Sequence, residues 1–356
     1  TDNVPRLDYT DSSCPALLLE PQRTNLLHYS SPAPLTTSTG ALDQWVIYSP
    51  TTGVVNDAIG VDGYQTATKY TNASNASSDY MLYRDLGVVA GQTYTCSGYL
   101  KLGTATNACV VLNDFTAWNT MPDAHFVATA AAGYDEWKRF EITFTAPNTN
   151  RINIHIGYHN ETNPDAQSLG TFYLDSFQVE QGSYATSYIP TYGSAVTRNV
   201  DLCKNAAPEL GDSQGTLFLE YNALDNYADA YSYFALSDKT YNNRIAIINS
   251  IGGTNQVRAF AFVGGVRYFD FFVSVTDITS NTKVAVTYKE NDFAIYVNGV
   301  KEATDTSGSV FPNGTLNDVS FTEVGNNASP FKGEIRQALV FPTALTDQEA
   351  IDLTTI

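Results

Sequence analysis

The sequence predicts an all-β protein, with two β-sandwich (jelly-roll) domains in tandem and one short C-terminal helix. Three observations carry that reading. Runs of alternating apolar and polar residues recur about every 8–12 residues, with turn residues between them. The composition is 43% hydrophobic, 12% aromatic and only 16% charged, as on a β-rich surface where Thr, Ser, Asn and Tyr replace Lys and Glu. Helical periodicity is missing until the closing segment. At roughly 150 residues per domain, 356 residues accommodate two.

The elements follow in chain order. Residues 1–40 form a connecting segment that includes "CPALLLEPQRTNLL" (14–27) and a Ser-, Pro- and Thr-rich stretch after it. Residues 41–190 hold the first sandwich, with "TYTCSGYLKL", "NACVVLND", "EWKRFEITFTAP", "RINIHIGYHN" and "TFYLDSFQVE" as its clearest strands. In "RINIHIGYH" the period of two puts Ile152, Ile154 and Ile156 on one face and Arg151, Asn153, His155 and His159 on the other, the pattern of a half-buried strand. Residues 191–215 are turn-rich and form the linker. Residues 216–356 hold the second sandwich, in which Asn298-Gly299 is a hairpin turn and Thr346 with Glu349 is a capping box that starts the final helix.

Charge and cysteine usage narrow the function. A net charge of -18 provides no basic footprint for nucleic acid. No apolar run approaches the ~18 residues that crossing a membrane as a helix requires. Cys14, Cys96, Cys109 and Cys203 form no C-x-x-C pair. Cys96 and Cys109 read as buried strand thiols, and spacing leaves a Cys14–Cys203 bridge open.

Candidate chemistry is sparse. "GDSQG" (211–215) matches a nucleophile elbow, but a strand follows Ser213 and every histidine precedes it, so the motif's context fails. His155 and His159 lie ~13 Å apart on an extended strand, too far to share a metal. No strand presents a carboxylate pair on one face, as a β-sandwich glycosidase commonly does. Loop acids such as Asp57, Asp62 and Asp175 make Ca²⁺ a candidate ion without an assigned site. Sugar recognition on a sandwich combines aromatic planes with amides and hydroxyls. The candidates for it are Tyr99, Lys101, Asn113, Arg151, Asn153, His155 and His159 on the polar face of the first domain, flanked in loops by Trp45 and Trp118. Glu20 and Arg23 read as structural pins for a crossing segment whose Leu17–Leu19 run is buried.

Three sets of stretches carry resemblances. "KVAVTYKENDFAIYVNGVKEATDTSG" and "PFKGEIRQALVFPTALTDQEAIDL" resemble the C-terminal half of laminin-G-like, concanavalin-A-like lectin domains. The strands "GQTYTCSGYLKL", "EWKRFEITFTAP" and "TFYLDSFQVEQG" resemble jelly-roll carbohydrate-binding modules. "PRLDYTDSSCPALLLEPQRTNLL" and "VEQGSYATSYIPTYGSAVTRNVDLC" resemble segments of phage tail-fibre and other virion structural proteins.

These resemblances imply a non-catalytic protein exposed on a virion and made in a host cytoplasm. Its partners would be host-surface polysaccharide and other virion proteins, and trimeric assembly is common among fibres. A reducing cytoplasm argues against the Cys14–Cys203 bridge. The alternatives are a polysaccharide depolymerase (glycosidase or lyase) and a decoration protein that contacts only other virion proteins.

Overall fold

The computed structural model describes residues 6–9, 15–31, 45–47, 52–73, 81–115, 120–156, 169–204, 211–226, 231–251, 254–324 and 328–356. The chain forms two compact units, Gln22–Arg198 and a second that joins Thr1–Pro21 to Asn199–Ile356. The 1–40 segment is therefore divided between them. Both units are built from antiparallel sheets, and the all-β expectation holds. Among the described residues no helix is long and apolar enough to cross a membrane.

The Gln22–Arg198 unit stacks two five-stranded sheets. One runs Thr120–Thr129, Asn107–Asp114, Arg151–Ile156, Met81–Gly87, Trp45–Ile47. The other runs Lys138–Thr145, Thr93–Leu102, Gly170–Gln181, Ala67–Asn72, Thr52–Ala58. Between them lies an apolar core in which Trp45 meets Tyr83 and Phe177 edge-on, with centroids 5.2 and 5.6 Å apart. Trp45 lies in a strand and is buried, and its indole N–H donates to the Tyr29 carbonyl at 2.8 Å. It is a core residue rather than the loop platform the sequence suggested.

The Arg151–Ile156 strand departs from the half-buried expectation. Every residue after Arg151 is buried, including Asn153 and His155. On the outer face of its sheet Val111, the register partner of His155, forms a small apolar cluster with Cys109, with Val127 against them. Polar side chains alternate along this strand, but the face they share is closed to solvent. Burial pushes the His155 pKa down to about 3 and the Cys96 and Cys109 thiols up to about 12.

The second unit stacks a seven-stranded sheet on a five-stranded one. The larger runs Leu7–Asp8, Ala16–Leu19, Gly333–Phe341, Gln214–Ala223, Thr282–Lys289, Asp292–Val297, Val300–Asp305. The smaller runs Val266–Ser274, Thr254–Val263, Arg244–Ile251, Ser232–Ser237, Asp318–Ser320. Leu17 pairs with Ile335, and Leu19 is buried in the core. The Asn298-Gly299 turn has φ +50° and +83°, positive values that its hairpin geometry requires. The helix Asp347–Thr354 opens on the Thr346–Glu349 capping box and seats Ala350 against Phe218 and Tyr296.

The motif-like residues turn out to be fasteners. The Asp212 carboxylate of "GDSQG" accepts the Gly314 and Leu316 amides at 2.6 and 2.7 Å, and the Gln214–Ala223 strand follows directly. Asp175 accepts the Val61 amide at 3.0 Å, and Asp62 accepts the Tyr64 amide. Asp57 lies 3.7 Å from the Lys69 ammonium. Among the described residues no three His, Cys, Asp or Glu side chains gather as a metal-ligand set. Cys203 is a half-buried free thiol, and Cys14 lies outside the described residues.

Candidate functional site

Glu20 and Arg23 stand close in sequence and take separate roles. Glu20 lies 3.3 Å from the Arg6 guanidinium, which also donates to Asp201 at 2.8 Å. The Glu20 amide donates to the Asp201 carboxylate at 2.9 Å, and the Asp201 amide donates back to the Glu20 carbonyl at 3.0 Å. This cluster closes the second unit. Arg23 belongs to the Gln22–Arg198 unit.

What holds Arg23 in place is Asn25. This side chain is fully buried. Its Nδ2 donates to the Ile189 and Phe177 carbonyls at 2.8 and 3.4 Å, and its Oδ1 accepts the Leu27 and Val179 amides at 3.1 and 3.2 Å. The short Arg23–Asn25 strand pairs with Val196–Arg198. The segment after the Gly170–Gln181 strand is fixed by a second network. The Glu180 carboxylate accepts the Thr186 hydroxyl, the Thr186 amide and the Gln178 amide group, and Gln178 in turn donates to the Thr186 carbonyl at 2.7 Å. Burial raises the Glu180 pKa, while the Thr186 hydroxyl and amide and the Arg23 and Arg198 charges pull it down.

Together these elements frame a cleft of about 660 Å³. Gln22, Arg23, Thr24, Gln92, Thr93, Gln181 and Ser183 line it, with Leu26 and Tyr94 contributing apolar wall. Gln181 donates to Gln92 at 3.3 Å across its edge. The Arg23 guanidinium stacks over the Tyr184 ring at 5.1 Å from the centroid. It also lies over Gly182, whose φ is +145° and whose missing Cβ would stand 2.6 Å from Nη2. Nη1 makes one long bond to the Gln22 carbonyl at 3.4 Å, and Nε is buried without a hydrogen-bond partner. The cleft thus offers side-chain amides, hydroxyls and one pre-positioned guanidinium. Among the described residues no carboxylate, imidazole or thiol lines it.

The sequence-derived sugar-binding candidates do not share one surface. Tyr99 and Lys101 lie on the Thr93–Leu102 strand of one sheet, where Lys101 donates to Glu136 at 3.0 Å. Asn113, Arg151, Asn153 and His155 belong to the other sheet. Period-two alternation gives the face of a strand but not the sheet it joins. Asp85, at φ +62°, brings two of them together. Its carboxylate lies 3.2 Å from Arg151, and its amide donates to Asn153 at 2.9 Å. Arg151, Asp85 and His28 border a smaller hollow of about 440 Å³. Asn113, Asn153 and His155 have no exposed surface. Trp118 and His159 lie outside the described residues. The reading of the sequence missed Gln92, Gln181 and Gly182, although a glycine following Gln181 in "VEQGS" is the local signal for a turn.

The match to a family model bears on the second unit. Residues 204–350 match the family model of the concanavalin A-like lectin/glucanases superfamily. No curated protein matches the chain. Among solved structures, the chain is similar to the IT-sialidase CBM40 of Ruminococcus gnavus bound to α2,3 sialyllactose. That pair shares 22% identity at a TM-score of 0.35 over 41% of this chain and 84% of that one. The heptameric SAP-like pentraxin of Limulus polyphemus shares 12% identity at 0.34 over 43% and 74%. The K499G mutant of the NanB sialidase of Streptococcus pneumoniae shares 19% identity at 0.34 over 41% and 24%. The family match and the two-sheet architecture agree on a concanavalin A-like, laminin G-like sandwich for residues 204–350.

Proposed function

We propose that the protein is a non-catalytic glycan binder of a virion surface, with the Arg23 cleft as its glycan site. The cleft's composition carries this reading. Sugar hydroxyls both donate and accept, and Gln22, Gln92, Gln181, Thr24 and Ser183 supply both partners, with Arg23 as a fixed donor. The pinned backbone beneath Arg23 lowers the entropy cost of ordering the site. A lining of amides, hydroxyls and a guanidinium suits holding a glycan rather than cleaving it, since hydrolysis needs an acid and a base or nucleophile. The virion placement is supported by the resemblance of residues 5–27 and 179–203 to tail-fibre segments. Weak binding at each site would be raised by multivalent display.

The test is a glycan array probed with the full chain and with Arg23→Ala. Wild type is expected to bind a surface polysaccharide. Arg23→Ala should lose about tenfold or more in affinity, about 1.4 kcal/mol, while Tm moves by about 3 °C or less. Equal binding by the variant removes Arg23 from the site. Release of reducing ends from the bound polysaccharide removes the non-catalytic reading, and labelling of virions away from any exposed surface removes the placement.

A further inference from the structure

The smaller hollow of the Gln22–Arg198 unit, about 440 Å³, adjoins the Arg23 cleft, and Leu26 lines both. Its chemistry differs from that of the cleft. Leu26, Leu86 and Ala195 give it an apolar wall, and His28, Asp85 and Arg151 give it a polar one. The Asp85 side chain is 6% exposed and the Arg151 side chain 54%, so the carboxylate lies at the floor and the guanidinium at the open rim. Nη1 of Arg151 donates to Oδ2 of Asp85 at 3.2 Å.

The surrounding backbone holds these groups in place. Asp85 has φ +62°, a left-handed conformation that a non-glycine residue keeps only where its surroundings enforce it. Its amide donates to the buried Asn153 side chain at 2.9 Å, and the strand pairing shifts register between Ile152 and Ile154. The Arg151 guanidinium lies 5.6 Å from the Phe115 centroid. The His28 amide donates to the Tyr83 hydroxyl at 2.8 Å, and its carbonyl accepts the Gly193 amide at 2.7 Å. The next residue, Tyr29, bridges to Tyr192. Both tyrosines are exposed, Tyr192 by 86%, so aromatic surface open to solvent stands in the segments that border the hollow.

The polar pair restricts what the hollow can hold. A carboxylate would face Asp85, and an ammonium would face Arg151. A neutral group that donates and accepts side by side suits both. A carboxylate has several lone-pair sites and a guanidinium several N–H donors, so their ion pair leaves capacity on each. A secondary amide that carries a methyl group also matches the apolar wall.

We propose that this hollow takes the acetamido group of an N-acetylhexosamine. The amide N–H donates to Asp85, the carbonyl accepts from Arg151, and the methyl packs on Leu26, Leu86 and Ala195. Tyr192 offers its ring to the sugar. The site uses none of the hydrogen-bonding residues of the Arg23 cleft.

The experiment is ligand-observed NMR titration of the full chain with the methyl glycosides of N-acetylglucosamine and N-acetylgalactosamine, each beside its glucose or galactose counterpart. Wild type is expected to prefer at least one acetamido sugar by about tenfold or more. Arg151→Ala should bring that preference below about threefold. Ala195→Trp, which fills the hollow and leaves the Asp85–Arg151 pair in place, should abolish it. Arg23→Ala should leave the preference intact, so this site and the Arg23 cleft fail independently. If Arg151→Ala does not fold, Ala195→Trp, at an exposed position, supplies the reading with an unchanged Tm. Equal binding of the acetamido and hydroxyl members of both pairs would overturn the assignment. So would no binding of either acetamido sugar at millimolar concentration, or full preference retained by either variant of the hollow. Tighter binding of Nε-acetyl-lysine methylamide than of either sugar would overturn the choice of a sugar.

Discussion

Asn25→Ala lowers the stability of the Gln22–Arg198 unit by about 4 kcal/mol, the largest effect expected of any single truncation outside the apolar core. The wild-type amide satisfies the Leu27 and Val179 N–H groups and the Ile189 and Phe177 carbonyls from a fully buried position. Alanine leaves two amides and a close carbonyl partner without bonds where water does not reach, at about 1–3 kcal/mol for each orphaned group before relaxation. Asn25→Asp is no remedy, since a carboxylate cannot donate to the Ile189 carbonyl and would be a buried charge. Denaturant titration reads the loss as a lower midpoint in the transition that belongs to this unit. A loss under about 1 kcal/mol would mean that Asn25 is not the pin of the Arg23 strand.

The second large effect is a loss of stability on acidification, traced to His155. Its folded-state pKa is depressed to about 3 by burial, against an ordinary value of 6.5. Between those values the unfolded chain binds the proton and the folded chain does not. The stabilising contribution is therefore fully present above pH 6.5 and is lost as pH falls toward 3. At about 1.4 kcal/mol per pKa unit, it amounts to several kcal/mol. Asp175 and Glu180 act in the opposite sense. Burial raises their folded pKa values, so their contribution is present at low pH and is lost as pH rises through those values. His155→Gln cannot titrate and isolates the histidine component. Unfolding free energy measured from pH 7 to pH 4 should fall steeply in wild type and less steeply in the variant. Parallel curves would show that His155 is hydrated or protonated in the folded protein.

The local features of this fold are legible in the sequence because neighbouring residues decide them. The Asn298-Gly299 hairpin, the Thr346–Glu349 capping box and the alternation of "KVAVTYK" each depend on a few adjacent side chains. The candidate site is less legible because sheets and clefts are assembled from distant segments. Three of the four partners of Asn25 lie 152–164 residues away. "RINIHI" alternates as a half-buried strand should, yet His155 and Asn153 are closed off, and the polar period alone carries no record of what covers a face. Tyr99 and Asn113 sit on separate sheets for the same reason.

Glu20 and Arg23 show the limit most directly. Three residues apart, they read together as structural pins of one crossing segment. The chain passes from one unit to the other between them, so Glu20 joins Arg6 and Asp201 while Arg23 lies over Gly182 and Tyr184. A charge that the sequence offered as scaffolding is the one the cleft presents to solvent.

The most direct test of the glycan-binding account is a crystal structure of the full chain with the tightest ligand from the array. The account predicts sugar density in the cleft, with hydroxyls within hydrogen-bond distance of Arg23 and at least one of Gln22, Gln92 and Gln181. An empty cleft with the same glycan ordered elsewhere on the chain would contradict it.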